Sequence, residues 1–329
     1  MMKEYLNLLL AQQSLSHSQA QQALLSIGRG EVNAAQTAAF LTALAMRPIT
    51  VDELDGFRAA MLELCIGIDL SAFDPMDVCG TGGDGKDTFN ISTTAAFVVA
   101  GAGQSVAKNG NHGVSSSVGS STVLEYLGVK FSNDPDYLRH KIETAGICYL
   151  HAPLFHPAMK YVAPIRKELG FKTFFNILGP LLNAAFIQKQ LTGVYGANVA
   201  ELYTGILQKT RSSFAVLYNL DGYDEISLTG TCKIITEKGE ELLMPENFGF
   251  QAITEKDLYG GDSLEEAAQI LTKVLANEST PAQTNVVLAN AAVALRAADT
   301  SLSLSDALQK ATESLQSGRA YGALKKLVS

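Results

Sequence analysis

The sequence predicts an α/β protein in which a small N-terminal helical domain packs on a larger domain with a central, mainly parallel sheet flanked by helices. Residues 1–68 carry helical periodicity and helix-start signals throughout. From about Pro75, short apolar runs separated by glycine clusters alternate with helical stretches, a pattern typical of parallel sheets. The last part of the chain is helical again and is expected to close the fold.

The helical domain is assigned to residues 1–70. Ser16 with Gln19, and Thr50 with Glu53, fit the capping box, in which two side chains satisfy free N–H groups at a helix start. Residues 33–46 are rich in Ala and Leu and predict a helix with one apolar face. We expect a further helical contribution from about residues 157–185, and we assign residues 71–329 to the α/β domain.

Five short apolar runs are expected to be buried strands, with helices between them. They read MDVCG, SVAKNG, GICYLH, LTGVYG and SFAVLYNLDG, and helices are expected at 136–144 and 200–210. Residues 231–250 predict a strand pair turning around Lys238 and Gly239, and Ser263 with Glu266 begins the closing helices. In such folds ligands bind beyond the carboxyl ends of the strands, so we expect the site between the two domains.

Composition excludes several classes of protein. Against 25 Lys and Arg the chain has 33 Asp and Glu, a net charge of −8, and it lacks the basic stripe of a nucleic-acid-binding protein. The four cysteines are far apart and predict neither a zinc site nor disulfides. The most apolar stretch, residues 95–103, is far shorter than the roughly 20 residues that span a bilayer. We expect no membrane partner and a cytoplasmic location.

The first candidate binding segment covers residues 77–93, DVCGTGGDGKDTFNIST. Closely spaced glycines after a strand let several N–H groups turn inward to bind an anion. The spacing matches neither the P-loop nor the dinucleotide fingerprint. Asn90, Ser92 and Thr93 stand at a predicted helix start, where free N–H groups favour phosphate.

Three further segments carry candidate ligands. Residues 108–121, KNGNHGVSSSVGSS, combine one Lys with glycines and serines between a strand and a helix. Arg166 can hold a carboxylate through two parallel hydrogen bonds. Asp224 and Glu225, on a loop after a strand, are the oxygen ligands that Mg²⁺ prefers.

Together these segments resemble the anthranilate phosphoribosyltransferases, and the match runs in order over nearly the whole chain. The family's first loop reads GTGGD followed by Asn, an apolar residue, Ser and Thr, as in residues 80–84 and 90–93. Its second loop begins Lys, His, Gly, Asn, matched at residues 108–111 except for the His. HPAM at 156–159, Arg166, FNILGPLLN at 175–183 and the acidic pair at 224–225 also match.

The resemblance implies a Mg²⁺-dependent pentosyltransferase that moves the phosphoribosyl group of 5-phosphoribosyl 1-pyrophosphate to the amine of anthranilate, releasing pyrophosphate, in tryptophan biosynthesis. Residues 71–329 would then be the phosphoribosyl-binding domain, and a homodimer is expected. The implied catalytic residues are Lys108 and Arg166; anthranilate would contact Gly80, Asn111 and Arg166; Mg²⁺ would be held by Ser92, Asp224 and Glu225. The residues implied for the sugar pyrophosphate are Gly80, Gly83, Asp84, Thr88, Asn90, Ile91, Ser92, Thr93, Lys108, Asn109, Gly110, Asn111, His112, Gly113, Val114, Ser115, Ser116 and Ser120.

The chain departs from the family pattern within the second loop. Asn109 replaces the usual His, His112 the usual Arg, and Ser117 the usual second cation. Ser121 and Thr122 replace the usual Ala and Asp. Three of these changes remove positive or potentially positive charge beside an anionic substrate. We therefore expect phosphate binding to depend more on Mg²⁺ and backbone N–H groups than in typical members.

Two alternatives stay open at this point. A pyrimidine nucleoside phosphorylase shares the architecture, a glycine-rich loop and a lysine, but needs phosphate as nucleophile and no acidic Mg²⁺ pair. A non-catalytic paralogue that binds a phosphorylated ligand or nucleic acid is the other. Phosphorolysis of thymidine discriminates the first, and loss of anthranilate fluorescence discriminates the second.

Overall fold

The computed structural model describes residues 1–113 and 118–329. Four helices form the N-terminal part: α1 (Met2–Leu10), α2 (His17–Gly28), α3 (Ala34–Ala45) and α4 (Val51–Glu63). Both predicted capping boxes are confirmed, at Ser16 with Gln19 and at Thr50 with Glu53. None of the helices in the described ranges is both long and apolar enough to cross a bilayer.

One sheet organises the rest of the chain, as predicted. Its strands are β1 (Met76–Gly80), β2 (Val106–Gly110), β3 (Ile147–His151), β4 (Lys189–Gly193), β5 (Ser213–Asn219), β6 (Cys232–Thr236) and β7 (Gly239–Leu243). They lie in the order β3-β2-β1-β4-β5-β6-β7, and the first five are parallel. The predicted hairpin at residues 231–250 forms the antiparallel pair β6–β7.

Helices flank this sheet and connect its parallel strands. They are α5 (Ile91–Gly101), α6 (Ser120–Tyr126), α7 (Pro135–Ala145), α8 (Ala152–Phe155), α9 (Ala163–Leu169), α10 (Ala197–Thr210), α11 (Leu264–Leu275), α12 (Pro281–Ala298), α13 (Leu304–Gln316) and α14 (Arg319–Val328). Short 3₁₀ turns occur at Ser71–Phe73, Pro157–Tyr161, Phe174–Asn176, Gly179–Leu181, Pro245–Phe248 and Glu255–Leu258.

The strand order reverses beside β1, and this reversal indicates where a ligand would bind on the sheet. β1 is followed along the chain by β2 and β3 on one side, whereas β4 and β5 lie on its other side. In doubly wound sheets the crevice beyond the carboxyl ends of the strands at such a reversal is the usual binding position. The loops that follow Gly80, Gly110 and Gly193 therefore meet at one edge.

Two large apolar clusters stabilise the molecule. One packs α5, α12 and the closing helices against the sheet, with Phe97, Val98 and Val293 among its buried side chains. The other joins α1–α4 to residues 158–182, to α10 and to one face of β5. Tyr203 of α10 donates a hydrogen bond to the Ile177 carbonyl within this second cluster, 2.6 Å away. The segment that carries Arg166 thus packs with the N-terminal helices.

A buried carboxylate holds the start of α4. Glu53 is fully buried and accepts hydrogen bonds from Arg47 and from the backbone N–H groups of Leu15 and Thr50. Burial raises the pKa of Glu53, but the bonds from Arg47, Leu15 and Thr50 outweigh it, so the net pKa is lowered from the ordinary 4.5. One side chain therefore joins the α1–α2 connection to the α4 cap.

Glu53→Gln is expected to lower the free energy of unfolding by about 3 kcal/mol, because removing one partner of a buried ion pair leaves the other uncompensated. A folded pKa below the unfolded one gives stability that is fully present above the unfolded pKa and is lost as pH falls through the folded pKa. The stability difference between wild type and variant, measured by urea unfolding, should be constant from pH 7 to about 5 and shrink at lower pH. A difference that grows on acidification would contradict this account.

Candidate active site

The glycine-rich loop after β1 folds onto the loop that carries Asp224. The Gly82 N–H donates to Asp224 Oδ2 at 2.6 Å, and the Thr81 N–H donates to the Gly193 carbonyl at 2.9 Å. A Cβ at Gly193 would lie 1.5 Å from the Asp224 carbonyl oxygen, so only glycine fits there. The ends of β1, β4 and β5 are thereby held in contact.

The carboxyl groups of Asp224 and Glu225 lie close to this loop and to the Asp84 that it carries. Burial raises the pKa of Asp224 well above its ordinary value, and the nearby charges of Glu225 and Asp84 raise it further. Burial also raises the pKa of Glu225, while the hydrogen bond from the Ser92 N–H to Glu225 Oε1, 2.8 Å long, lowers it. The mutual repulsion of these acids is the condition that a bound cation relieves.

The acids fit Mg²⁺ rather than a tightly caged metal. Within the described ranges, no group of three or more His, Cys, Asp or Glu side chains converges to hold a metal on its own. Mg²⁺ commonly keeps several waters and binds through one or two carboxylates together with substrate phosphates. Asp224, Glu225 and the adjacent Ser92 are oxygen donors of that kind.

Lys108 is buried in the middle of β2. It is 2% exposed, and its ammonium group donates to the Val78 carbonyl of β1. The neighbouring Asn109 N–H donates to the carboxylate of Asp77, which also accepts from Asn183 at 2.8 Å. Burial raises the pKa of Asp77, and the charge of Lys108 lowers it. The bond to Val78 and the charge of Asp77 thus fix Lys108 between β1 and β2, in the same cavity wall as the glycine-rich loop.

The residues at 109, 112, 121 and 122, which depart from the expected pattern, lie at the end of β2, in the loop that follows it and at the start of α6. Asn109 donates to the Gly179 carbonyl at 3.1 Å, which joins the sheet to the segment packed on the N-terminal helices. His112 Nδ1 lies 3.1 Å from Thr122 Oγ1. Ser121 Oγ lies 2.8 Å from His151 Nδ1, and burial lowers the pKa of His151. The replacements at 109, 112, 121 and 122 thus all make polar contacts.

Arg166 projects from α9 and is held by two neighbours. Its Nη2 donates to Asn176 Oδ1 at 3.3 Å, and its guanidinium lies 5.2 Å from the Phe175 ring centroid. Burial lowers the pKa of this guanidinium, which remains a cation at neutral pH. A partly dehydrated cation in a set orientation is suited to binding a carboxylate.

A cavity of about 740 Å³ brings these segments together. Its wall contains Gly80–Gly83, the loop after β2 and the segment from Ala152 to Leu182. Four cationic side chains line it, and within the described part of the chain no aspartate or glutamate does. The four are Lys108, Lys160, Arg166 and Lys172. In a protein of net charge −8, this local excess of cationic side chains is suited to a polyanion.

Most of the predicted site residues lie in the cavity wall. These are Gly80, Gly83, Ser92, Lys108, Asn109, Gly110, Asn111, His112, Gly113, Ser120 and Arg166. The predictions at Val114, Ser115 and Ser116 lie outside the described residues.

The other predicted residues in the described ranges are not among those that line this cavity; Asp84 lies on the glycine-rich loop, where its carboxylate accepts from the Lys86 N–H at 3.0 Å. Asp224 and Glu225 contact the loop backbone, Thr88 pairs with Tyr259, and the Asn90 amide donates to the Val118 carbonyl. The side chains of Ile91 and Thr93 are buried at the start of α5. Direct contact of these residues with a ligand stays a prediction.

Several wall residues were not predicted from the sequence, and four of them carry cationic, aromatic or imidazole side chains. Lys160, Lys172, Tyr195 and His156 all line the cavity. His156 is 4% exposed; its Nε2 lies 2.8 Å from the Leu182 carbonyl oxygen. Lys160 and Lys172 flank Arg166 by six residues on either side, and this clustering of cations was the available signal.

Two family models match consecutive parts of the chain. The model described as "Glycosyl transferase family, helical bundle domain" matches residues 3–65, and that described as "Glycosyl transferase family, a/b domain" matches residues 73–321. The chain is 54% identical over 326 residues to the anthranilate phosphoribosyltransferase of Flavobacterium johnsoniae, covering 99% of this chain and 98% of the relative. The enzyme of the same name from Cytophaga hutchinsonii is 54% identical over 327 residues, covering 99% and 100%.

Solved structures of enzymes with this name superpose on nearly the whole chain. Anthranilate phosphoribosyltransferase from Thermus thermophilus superposes with a TM-score of 0.92 at 34% identity, covering 98% of each chain. The Saccharomyces cerevisiae enzyme in complex with PRPP and Mg superposes with a TM-score of 0.91 at 28% identity, covering 99% of this chain and 96% of that one. The chain belongs to the anthranilate phosphoribosyltransferase family of glycosyl transferases.

Proposed function

We propose that this protein transfers the phosphoribosyl group of 5-phosphoribosyl 1-pyrophosphate to the amine of anthranilate and releases pyrophosphate, as a step of tryptophan biosynthesis. The observation that carries this proposal is the cavity lined by four cations and, among the described residues, by no carboxylate. A sugar bisubstituted with phosphate and diphosphate, together with an aromatic carboxylate, is a polyanionic pair that matches this wall. The relatives' names specify the same two substrates.

The nucleophile of this reaction needs no activation by a strong base. The aryl amine of anthranilate is neutral at pH 7, so no strong base is required. The barrier lies in breaking the bond to the diphosphate, while the ribosyl ring gains oxocarbenium character. Lys108, in the cavity wall beside the loop at Gly80–Gly83, supplies preorganised positive potential where the leaving group gains charge.

Arg166 positions the second substrate. Asn176 and Phe175 hold its guanidinium at the cavity wall, where two parallel hydrogen bonds to the carboxylate would direct the amine toward the anomeric carbon. Gly80 and Asn111, in the same wall, would complete the anthranilate site. The gain comes from orientation rather than from bond chemistry.

Ser92, Asp224 and Glu225 would hold Mg²⁺. When bound, this ion acts as a Lewis acid on the diphosphate. The repulsion that Glu225 and Asp84 exert on Asp224 supports the assignment, because a cation beside these acids would relieve it.

The function is tested by mixing purified protein with anthranilate, 5-phosphoribosyl 1-pyrophosphate and Mg²⁺. Anthranilate fluorescence should fall, with one pyrophosphate released for each anthranilate consumed. Phosphorolysis of thymidine in the presence of phosphate, with no loss of anthranilate fluorescence, would point instead to a nucleoside phosphorylase. Binding of the sugar pyrophosphate without turnover would point to a non-catalytic paralogue.

Magnesium dependence gives a separate prediction. With one lysine in residues 108–121, the Michaelis constant for the sugar pyrophosphate should rise steeply as free Mg²⁺ falls below saturation. Lys108→Ala should raise it about tenfold at saturating Mg²⁺, since a hydrogen bond to a charged group is worth about 1.5–3 kcal/mol. A weak Mg²⁺ dependence together with a nearly silent Lys108→Ala would contradict the assignment.

A homodimer is also proposed. The resemblance implies it, and large apolar side chains are exposed at the end of α1 and after α3, with Leu10 at 73% and Met46 at 77%. Light scattering after size-exclusion chromatography tests it, and a monomer at micromolar concentration would contradict it.

A further inference from the structure

Lys172 reaches from the Arg166 segment to the glycine-rich loop. It follows α9 after Gly170, whose φ of 68° ends that helix. Its Nζ donates to the Gly83 carbonyl at 3.0 Å and lies 5.8 Å from the centroid of the Tyr195 ring. This side chain therefore joins two parts of the cavity wall, the segment packed on the N-terminal helices and the loop after β1.

The charge of Lys172 is not neutralised by these contacts. A carbonyl oxygen and an aromatic ring are its neighbours, and within the described ranges no carboxylate oxygen lies within 4.0 Å of its Nζ. Lys86, on the same glycine-rich loop, has instead a carboxylate of Glu255 at 3.7 Å. An ammonium group has three donors, so Lys172 keeps hydrogen-bonding capacity for an anion in the cavity.

Lys172 supplies positive charge where the second loop, residues 108–121, has little of it. Residues 108–121 contain one Lys and no Arg, and that Lys108 is buried against the Val78 carbonyl. A diphosphate bound beside the loop at residues 80–83 would have Lys108 in the same cavity wall, and Lys172 reaches this loop from the segment that follows α9.

We propose that Lys172 binds the diphosphate group, both in the sugar pyrophosphate and in released pyrophosphate, and supplies there the positive charge that the second loop lacks. This role rests on the proposed function for its substrate. The ammonium exchanges or shares its bond to the Gly83 carbonyl with a phosphate oxygen. No bond of the reaction is made or broken by it.

The test compares Lys172→Gln and Lys172→Arg with Lys167→Gln, an exposed lysine on α9 outside the cavity wall. Lys172→Gln should raise the Michaelis constant for the sugar pyrophosphate and the inhibition constant for pyrophosphate about tenfold each, the effect of losing one charged hydrogen bond. The Michaelis constant for anthranilate, at saturating sugar pyrophosphate, should change less than about twofold. Lys172→Arg should restore most of the affinity, and Lys167→Gln should match wild type.

Calorimetric binding of pyrophosphate with Mg²⁺ separates this inference from the proposed function, since it needs no turnover. A tenfold weaker affinity in Lys172→Gln supports the diphosphate site even in a protein that does not consume anthranilate. Wild-type affinity in Lys172→Gln overturns the inference, even if the wild-type protein is fully active. So does an equal rise in the Michaelis constants of both substrates.

Discussion

The double variant Asp224→Asn, Glu225→Gln is expected to lose turnover by about 10²- to 10³-fold while remaining folded. Removing one preorganised electrostatic group from a transition state costs about that much, and here both acidic ligands proposed for Mg²⁺ lose their charge. The fold should persist because an Asn oxygen can still accept from the Gly82 N–H and a Gln oxygen from the Ser92 N–H. Initial rates across a Mg²⁺ titration measure the effect.

Asp221→Asn is the matched control for this variant. Asp221 lies on the same loop, is exposed, and accepts a hydrogen bond from Thr229. It should keep wild-type turnover and wild-type Mg²⁺ dependence. A double variant with unaltered activity, or one whose Mg²⁺ dependence is unchanged, would remove the metal role from Asp224 and Glu225.

Arg166→Ala is expected to raise the Michaelis constant for anthranilate by about 10- to 100-fold. A carboxylate bound by a charged donor is worth about 1.5–3 kcal/mol, and the partly buried guanidinium has no equivalent replacement. The Michaelis constant for the sugar pyrophosphate should change much less. Steady-state kinetics with each substrate varied in turn measure both values.

Arg166→Lys should recover little of this loss, because an ammonium cannot form two parallel bonds to a carboxylate. Lys167→Ala, one residue along α9 and exposed, is the control and should behave as wild type. Equal effects of Arg166→Ala on both substrates would refute the assignment of this residue to anthranilate.

Local signals in the sequence predicted much of the fold. The capping boxes at Ser16 and Thr50 act between residues three apart, so they are readable without tertiary context. The strands of the parallel sheet alternate with helices along the chain, which is why their existence and class could be predicted. The order of the strands joins distant segments, and so the position of β4 beside β1 came only from the structure.

The residues of the candidate site that belong to a local sequence motif could be predicted. Those that depend on a contact between distant segments could not. The loops at Gly80 and Lys108 have compositions that point to anions. Nothing local to Asn109 indicates its bond to the Gly179 carbonyl, 70 residues away. Lys172 likewise gains its position from the Gly83 carbonyl, 89 residues away. In sequence it is one lysine among many.

We expect both substrates to bind in this one cavity, and the decisive test is a crystal structure with the sugar pyrophosphate, Mg²⁺ and an unreactive anthranilate analogue. The diphosphate should lie within hydrogen-bonding distance of the loop at Gly80–Gly83, with Mg²⁺ on the side of Asp224 and Glu225. The carboxylate of the analogue should bind Arg166. A diphosphate or a carboxylate bound outside this cavity would show that the site assigned here is wrong.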